Sequence, residues 1–282
     1  MDITRVDDKC TKCMLCVRDC VSGVWRKVDG VPTPVDPALC NLCSHCIALC
    51  PAEAIVHTGL DLSRAVPLNK KEISPEAYRA VVMGRRSIRH FKDKPVPAQT
   101  IDRIIETAAH SPTASNEQNV GYIVVTNREL IKDVAQRIYS FALKLYEKTQ
   151  RGPVGLLTRA TGLSQNRYLK VMDYIRDETS RGRDFILHNA PVLVLVHGPK
   201  KGSFICDNCN IAATNIINYS YSLGLGSCFI GFLTIALRFS KKLRARLHVP
   251  PGRRVYASLV LGYPAFTYKR SVSRKRPDIA WL

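Results

Sequence analysis

The chain has 282 residues, of which 46% are hydrophobic and 23% charged, and 42 Lys and Arg against 23 Asp and Glu give a formal net charge of +19. This length exceeds one average domain, so we expect two domains, with a sizeable core in the larger one. The composition is ordinary for a globular protein, and the longest apolar run, at 190–196, is strand-sized, which excludes a helical membrane span.

Eight of the eleven cysteines form two copies of one spacing, Cys-x2-Cys-x2-Cys-x3-Cys, beginning at Cys10 and at Cys40, and Pro51 follows the second copy. This is the spacing of two-cluster bacterial ferredoxins, in which the fourth cysteine of each run ligates the other [4Fe–4S] cluster. One predicted ligand set is therefore Cys10, Cys13, Cys16 and Cys50. The other predicted set is Cys40, Cys43, Cys46 and Cys20.

We expect residues 1–57 to form a ferredoxin-like domain that folds only around its two clusters, because metal-ligand free energy is folding free energy in so short a segment. Zinc is the alternative, since paired C-x2-C runs also bind zinc. A zinc site needs four ligands, however, so the third and fourth thiolates of each run would remain without a metal. Val21 replaces the proline that usually follows the first run. No apolar leader opens the chain, so disulfides are not indicated and we expect a cytoplasmic location.

The basic excess is concentrated in the C-terminal part of the chain. Residues 1–60 carry six Lys or Arg against seven Asp or Glu, a net charge of −1, whereas residues 185–282 carry fourteen against two, a net charge of +12. Such a surplus is often a solvated face, and it is also typical of proteins that bind nucleic acid or membranes. A third interpretation fits better, namely an electropositive surround for a phosphate-bearing cofactor and for acidic redox partners.

After a predicted linker at 58–75, the sequence pattern indicates helices and strands interleaved around one sheet. Pro75 suits the first position of a helix, and apolar residues spaced i, i+3, i+4 and i+7 from Ile101 predict an amphipathic helix. A further helix around 211–219 is apolar on much of its circumference and is predicted to be buried. Residues 150–185 have only a modest helical pattern and are predicted to form a mobile lid. Strands are predicted at 122–126, 192–196 and 255–261.

Two segments of the larger domain are rich in groups that bind phosphates and polar rings. Residues 85–91, Arg-Arg-Ser-Ile-Arg-His-Phe, crowd three guanidinium groups and a hydroxyl together, and guanidinium groups match phosphate bidentately. Taken alone, such a cluster is more often a solvated basic face. Residues 111–118, Ser-Pro-Thr-Ala-Ser-Asn-Glu-Gln, offer amides and hydroxyls that can contact a polar ring and a polyol, although alone they indicate only a loop after a helix.

A third segment, residues 223–231, reads Leu-Gly-Leu-Gly-Ser-Cys-Phe-Ile-Gly. Its glycines allow a flat ligand to approach the backbone closely. It is not a dinucleotide fingerprint, because the third glycine is misplaced and the segment follows a helix rather than a strand. A nicotinamide-binding fold is therefore not predicted.

In this order, the three segments resemble the R-R-S-I-R-x-F, S-P-T-x-x-N-x-Q and G-L-G-S-C-x-x-G patterns of the nitroreductase family of FMN-dependent oxidoreductases. The resemblance covers about residues 75–282. It implies an α+β fold in which a nitroreductase-like FMN domain at 76–282, with a central mixed sheet and flanking helices, follows the small ferredoxin-like domain. It also implies a homodimer.

The resemblance assigns FMN contacts to four groups of residues. It assigns contacts with the FMN phosphate, ribityl chain and ring edge to Arg85, Arg86, Ser87 and Arg89. It places against the flavin, typically from the other subunit, Pro112, Thr113, Ala114, Asn116 and Gln118. It places beside the isoalloxazine ring Cys228, Phe229, Ile230 and Gly231. It also matches two basic residues near the end of the chain to family residues that cover the FMN phosphate, namely Arg274 and Arg276.

Several positions depart from the family pattern. Asn119 and Val120 stand where the loop often has a proline and an aromatic residue, which changes the expected substrate pocket. Cys228 is not usual at its position, and packing is the default interpretation of a buried thiol. We also predict a packing role for Cys206 and Cys209, placed just before the buried helix, because no third and fourth ligand lies nearby in sequence.

Together, the two halves predict an iron–sulfur flavoprotein oxidoreductase, with no side chain assigned as a catalytic acid or base. Electrons would come from an external low-potential donor, an acidic carrier of the ferredoxin or flavodoxin type, through both clusters to FMN rather than directly from NAD(P)H. The acceptor would be a small conjugated molecule of the nitroaromatic, quinone or enone type. An electron-transfer adaptor would leave the flavin segments without a role, and a redox-sensing nucleic-acid binder lacks a recognition helix or an aromatic-rich RNA motif.

Overall fold

A computed structural model of the protein describes residues 1–65, 68, 72, 74–150 and 172–282. The chain forms two units, and each is described by itself. The first comprises Met1–Ile73 together with Thr113–Glu117, and the second comprises Ser74–Pro112 together with Gln118–Leu282. The domain limits expected from sequence, 1–57, 58–75 and 76–282, stay a prediction.

The first unit is built from short strands and two single-turn helices. Its elements are β1 (Ile3–Arg5), α1 (Leu15–Asp19), β2 (Trp25–Val28), β3 (Val31–Pro34), α2 (His45–Leu49) and β4 (Ile55–His57). Strand β1 pairs antiparallel with β4, and β2 pairs antiparallel with β3. The pairing of β1 with β4 closes the two ends of the cysteine-rich segment on each other.

The backbone of this unit repeats at equivalent positions of the two cysteine runs. Lys12 and Leu42 have φ of 55° and 59°, and Met14 and Ser44 have φ of 61° and 64°. Each pair lies at the same place in its run, and α1 or α2 begins directly after Met14 or Ser44. Because residues other than glycine rarely adopt positive φ, the recurrence shows that both runs adopt the same uncommon backbone conformation.

The apolar core of the first unit is small. It consists of a few buried side chains with cysteines packed against them, namely Ile3, Cys16, Val24, Trp25 and Ile55. So few buried residues supply little hydrophobic stabilisation, and domains of this size usually need metals or disulfides in addition.

The second unit is an α/β layer structure. In chain order its elements are α3 (Pro75–Gly84), α4 (Ala98–Ala109), β5 (Gly121–Val125), α5 (Arg128–Gln150), α6 (Met172–Ser180), β6 (Val192–Pro199), α7 (Ile205–Ser222), β7 (Gly226–Phe229), α8 (Gly231–Phe239), α9 (Lys241–Arg246) and β8 (Arg253–Gly262). Helix α3 begins at Pro75, as expected, and its N-cap Ser74 accepts a hydrogen bond from Ala77 N–H at 3.1 Å. Most of the predicted lid at 150–185 lies outside the described residues. The part of it that the structure describes contains α6.

The four strands in the described part of the second unit form a sheet in the order β5-β6-β8-β7. All three ladders are antiparallel, and β6 pairs with β8 from Val192/Leu261 to Pro199/Arg253 across a bulge at Val196/His197. Sequence analysis expected a mixed sheet. Among the described residues, the parallel part is a single isolated bridge between Ser87 and Ser227.

Helices cover both faces of this sheet. One face packs against α4 and α7 through Ile104, Ile216 and Leu259, and the other packs against α5 and α8 through Val134 and Leu233. The helix predicted around 211–219 is α7, and its burial is confirmed. A search of the described residues finds no helix that is both long and apolar enough to cross a bilayer.

Candidate functional site

Four cysteines from both runs line one cavity of the first unit. The cavity has about 350 Å³ of space, counting its open mouth, and Leu15, Trp25 and Ile55 contribute to its wall. The N–H of Ala54 donates to Cys50 Sγ at 3.3 Å. The four thiols are Cys10, Cys13, Cys16 and Cys50.

The other four cysteines line a second cavity of about 390 Å³, again counting its mouth, together with Trp25 and His57. The N–H of Leu42 donates to Cys40 Sγ at 3.4 Å. The four thiols are Cys20, Cys40, Cys43 and Cys46. Each cavity therefore combines three thiols of one run with the fourth thiol of the other, which is the grouping that the spacing predicts.

The chemistry of the two cavities fits iron–sulfur clusters. Burial raises the pKa of the Cys16 thiol to about 11, and burial also raises the pKa of Cys46, so a bound cluster, which needs thiolates, would displace their protons. The indole Nε1–H of Trp25, which lines both cavities, is buried without a hydrogen-bond partner. A thiolate or a cluster sulfide would supply the hydrogen-bond acceptor that this indole N–H lacks. Cysteine thiolates are also the soft ligands that iron–sulfur clusters prefer.

A zinc site would look different. Zinc draws its four ligands to about 2.0–2.3 Å from a single ion. Within the described part of the chain, no three His, Cys, Asp or Glu side chains are grouped so that they could hold one ion. The described residues thus offer no preformed single-ion site, whereas each cavity groups the four thiols that a cubane uses.

The second unit brings the first and third predicted segments together. Ile88 N–H donates to Ser227 O at 2.9 Å, and Ser87 bridges Ser227 beside β7. A Cβ on Gly226 would lie 2.5 Å from Ile88 Cγ1, so only glycine allows this close approach. The sequence analysis attributed the glycines of this segment to the approach of a flat ligand, and at Gly226 the structure shows that the close neighbour is Ile88 of the chain itself.

The arginines of the first segment are available to an anion. The guanidinium of Arg86 stacks on the Tyr268 ring at 4.3 Å and donates to Arg270 O, while its Nε is buried without a partner. Arg85 and Arg89 flank it, and among the described residues no carboxylate forms an ion pair with any of these three arginines. Guanidinium groups that no carboxylate engages are suited to binding a phosphate.

Buried and exposed side chains alternate at the end of β7. Cys228 and Ile230 are 5% and 4% exposed and pack in the core, whereas Phe229 is 43% exposed. Nothing lies within 4 Å of a Cβ built on Gly231, where α8 begins. Burial raises the pKa of Cys228, against smaller opposing effects of Arg89 and Ser87, which agrees with a packing role.

The second predicted segment is divided between the two units. Ser111 is buried in the second unit, where its hydroxyl donates to Ala108 O at 2.6 Å and accepts from Asn215 Nδ2 at 2.8 Å. Thr113–Glu117, which includes Thr113, Ala114 and Asn116, belongs to the first unit, where Asn116 Nδ2 donates to Asn41 O at 3.0 Å. Pro112 and Gln118, on either side, are exposed and belong to the second unit.

The remaining predicted residues, Arg274 and Arg276, lie exposed in the stretch after β8, which has no regular secondary structure. Two residues of the same stretch, Tyr268 and Arg270, contact Arg86, and sequence reasoning missed them. It also missed His188, whose pKa is lowered to about 4, chiefly by burial, with the nearby Arg89 acting in the same direction. An isolated histidine in a loop carries no motif that would reveal this position.

One expectation about the remaining cysteines is wrong. Cys206 and Cys209 lie within the first two turns of α7 rather than before it. Cys209 is fully buried, as a packing role requires, and burial raises its pKa to about 12. Cys206 is exposed and accepts a hydrogen bond from Asn210 Nδ2 at 3.3 Å, so it does not pack in the core.

Comparison with known proteins agrees with this arrangement. The model of the Nitroreductase family matches residues 82–263, more than half of the chain. A 4-nitrobenzoate reductase from Nocardioides sp. is 29% identical over 210 residues, covering 67% of this chain and 81% of that protein. A putative NADH dehydrogenase/NAD(P)H nitroreductase from Methanothermobacter thermautotrophicus is 26% identical over 185 residues, covering 64% of this chain and 74% of that protein.

Solved structures show the same fold. A nitroreductase from Desulfitobacterium hafniense with bound FMN superimposes with a TM-score of 0.56 at 21% identity, covering 74% of this chain and 100% of that one. A nitroreductase from Bacteroides fragilis with bound FMN gives a TM-score of 0.53 at 22% identity, covering 72% and 98%. The second unit thus defines an oxidoreductase of the FMN-dependent reductase class. The chain belongs to the nitroreductase family.

Proposed function

We propose that this protein is an iron–sulfur flavoprotein oxidoreductase with two [4Fe–4S] clusters in residues 1–57 and FMN in residues 76–282. The observation that carries the proposal is the pair of four-thiol cavities, each combining cysteines of both runs. This crossed grouping is the ligand pattern of two-cluster ferredoxins, in which the fourth cysteine of each run ligates the other cluster. The repeated positive φ values of the two runs also support it.

The residues of the second unit support the FMN site. Arg85, Arg86 and Arg89 provide positive charge that no carboxylate of the described residues engages, and this charge would bind the phosphate and favour the anionic reduced flavin. Gly231 leaves open space where the ring edge would approach, with the first amides of α8 beside it. Two nitroreductases of the same fold were solved with FMN bound.

When bound, the clusters supply one-electron transfer and FMN supplies two-electron reduction of the acceptor. The chain itself holds these groups, shields them from water and sets their charge environment. The backbone N–H groups of Leu42 and Ala54 donate to sulfur in the first unit, and the buried Trp25 indole N–H would donate to sulfur when a cluster is bound. In the second unit, no described side chain is assigned as a proton donor to the acceptor.

We further propose a small conjugated acceptor of the nitroaromatic, quinone or enone type. The Nocardioides relative is named for reduction of 4-nitrobenzoate, whereas relatives from Danio rerio and Rattus norvegicus are named iodotyrosine deiodinases. An assay panel therefore includes a nitroaromatic, a quinone, an enone and a halogenated phenol. The family fold does not decide between them.

The proposed partners are an acidic electron carrier and a second copy of the chain. The net charge of +19 favours an acidic carrier of the ferredoxin or flavodoxin type. Exposed aromatic and aliphatic side chains in and beside α8 favour self-association, namely Phe229, Phe232, Ile235 and Phe239. Size-exclusion chromatography with light scattering tests the homodimer, and a monomer at micromolar concentration would contradict it.

Anaerobic purification with metal, sulfide and FMN analysis tests the proposal. We expect about eight iron and eight sulfide per chain, from two four-iron clusters, and FMN bound in addition. Zinc in place of iron, or no FMN, would overturn it. Turnover of the acceptor panel with reduced ferredoxin then separates a reductase from an electron-transfer adaptor, and a salt-dependent shift of DNA mobility would favour a nucleic-acid binder.

A further inference from the structure

His57 distinguishes the second cavity from the first. It is the last residue of β4, where it pairs with Ile3 of β1, and it is only 4% exposed. Its ring lines the cavity of Cys20, Cys40, Cys43 and Cys46, and Nε2 lies 3.4 Å from Cys40 Sγ. No histidine is among the described residues that line the first cavity, whose lining includes Arg5, paired with Asp7.

The hydrogen bonds of the ring fix which nitrogen carries the proton. Gly59 N–H donates to His57 Nδ1 at 3.1 Å, so Nδ1 must present its lone pair. A neutral imidazole with an acceptor at Nδ1 carries its proton on Nε2. Nε2–H therefore donates to Cys40 Sγ, which also accepts the N–H of Leu42 at 3.4 Å. Cys40 thus receives one side-chain and one backbone hydrogen bond.

We propose that His57 is a positioning residue of the second cluster, and that its Nε2–H bond to the Cys40 thiolate raises the reduction potential of that cluster. The inference rests on the proposed function, because it requires the cluster to be present. Hydrogen bonds to ligand sulfur are among the factors that set cluster potentials. A donor stabilises the more electron-rich, reduced state more than the oxidised state, so its removal lowers the potential.

The distance and the ligand count make His57 a donor to sulfur rather than a metal ligand. Four thiols already line the cavity, which is the number that a cubane uses. The Nε2···Sγ separation of 3.4 Å is that of a hydrogen bond to sulfur. Holding the ring on β4 and on the Gly59 amide keeps this bond in place in both redox states.

An anaerobic redox titration followed by electron paramagnetic resonance tests the role of His57 in the intact, cluster-loaded protein. His57→Phe keeps an aromatic side chain but has no donor, and it should lower one of the two midpoint potentials and leave the other unchanged. His57→Gln keeps a side-chain N–H and should restore much of the difference. Unchanged potentials in a fully loaded His57→Phe protein would overturn the inference.

Thr58→Ala is the matched control, because Thr58 is the next residue and its hydroxyl accepts Asp2 N–H at 2.8 Å without touching a thiol. It should leave both potentials at their wild-type values, and a shift as large as that of His57→Phe would show that the effect is merely structural.

A second measurement covers the case in which His57→Phe loads poorly. Wild-type protein labelled with ¹⁵N-histidine, reduced and studied by pulsed electron paramagnetic resonance, should show a ¹⁵N coupling that His57→Gln lacks, although six other histidines remain. Absence of the coupling in wild type, or its persistence in His57→Gln, would overturn the inference. Wild-type protein that binds zinc, or shows no cluster signal, would instead refute the proposed function, so the two failures are distinct.

Discussion

Gly226 and Gly231 lie only five positions apart, yet the structure predicts different consequences for the same substitution. A Cβ on Gly226 would lie 2.5 Å from Ile88 Cγ1 and 2.8 Å from Ile88 Cβ. Ile88 is 5% exposed, and its N–H is bonded to Ser227 O, so it can yield only by shifting the segment that carries the arginines. Gly226→Ala therefore overpacks the core and should cost about 1–3 kcal/mol in the free energy of unfolding.

Gly231→Ala is the matched control for stability. Nothing lies within 4 Å of its Cβ, and its backbone is outside the left-handed region. Gly231→Ala should therefore leave stability unchanged or raise it by about 0.4–1 kcal/mol. Its methyl group would, however, enter the space where the proposed flavin ring approaches, so FMN affinity should fall without loss of stability.

Thermal unfolding by circular dichroism and fluorescence titration of FMN-free protein separate the two effects. For a unit of this size, each kcal/mol corresponds to about 2–4 °C in Tm, so Gly226→Ala should unfold measurably earlier than wild type. Ile88→Ala in the same chain should offset part of that loss, as a double-mutant cycle would show. A Gly226→Ala protein as stable as wild type, or a Gly231→Ala protein with wild-type FMN affinity, would refute the reasoning.

Three further substitutions test other parts of the structure. Cys50→Ser removes one thiol of the first cavity and should lower iron to about half of the wild-type content, whereas full iron would contradict the ligand sets. Arg86→Lys keeps the charge but loses the planar group, and FMN affinity measured by fluorescence should fall about tenfold, equivalent to about 1.4 kcal/mol. Arg137 and Arg246 hold the pKa of Asp133 below its usual value. The stability that this carboxylate adds is present above its ordinary pKa of about 4 and is lost as pH falls through the lower folded pKa. The Tm advantage of wild type over Asp133→Asn should therefore exist at neutral pH and vanish on acidification, and a constant difference would contradict the ion-pair assignment.

Features with a local sequence signal could be predicted. Pro75 opens α3, the period from Ile101 marks α4, and the apolar face of α7 is buried, because each depends on the chain within one or two turns. The cysteine spacing likewise predicts the two groups of thiols that line the cavities. Their role as cluster ligands stays a prediction that iron analysis tests.

Features that depend on distant parts of the chain could not be predicted. Arg86 stacks on Tyr268, and Ile88 occupies the space beside Gly226, although more than a hundred residues separate each pair. The sequence around Gly226 predicts only that a flat ligand could approach the backbone, so the steric reason for this glycine was missed. His57 was missed too, because its relation to Cys40 depends on β1–β4 pairing rather than on a motif.

The order in which the strands pair in the sheet could not be predicted from local sequence patterns either. The strand runs at 192–196 and 255–261 were predicted, but their antiparallel partnership across β6 and β8 follows from the connection through α7, β7 and the two helices after it. The exposure of Cys206 could not be predicted either, because it depends on which residue begins α7 and on which side of that helix faces the sheet.

The most direct test of the central claim is an anaerobic rapid-mixing experiment in which protein loaded with clusters and FMN meets reduced ferredoxin or, separately, NADPH. The account predicts that reduced ferredoxin bleaches the flavin rapidly, that NADPH reduces it far more slowly, and that protein loaded with FMN but not with iron loses the ferredoxin-driven reaction. Equal rates with NADPH, or ferredoxin-driven reduction that survives without iron, would contradict it.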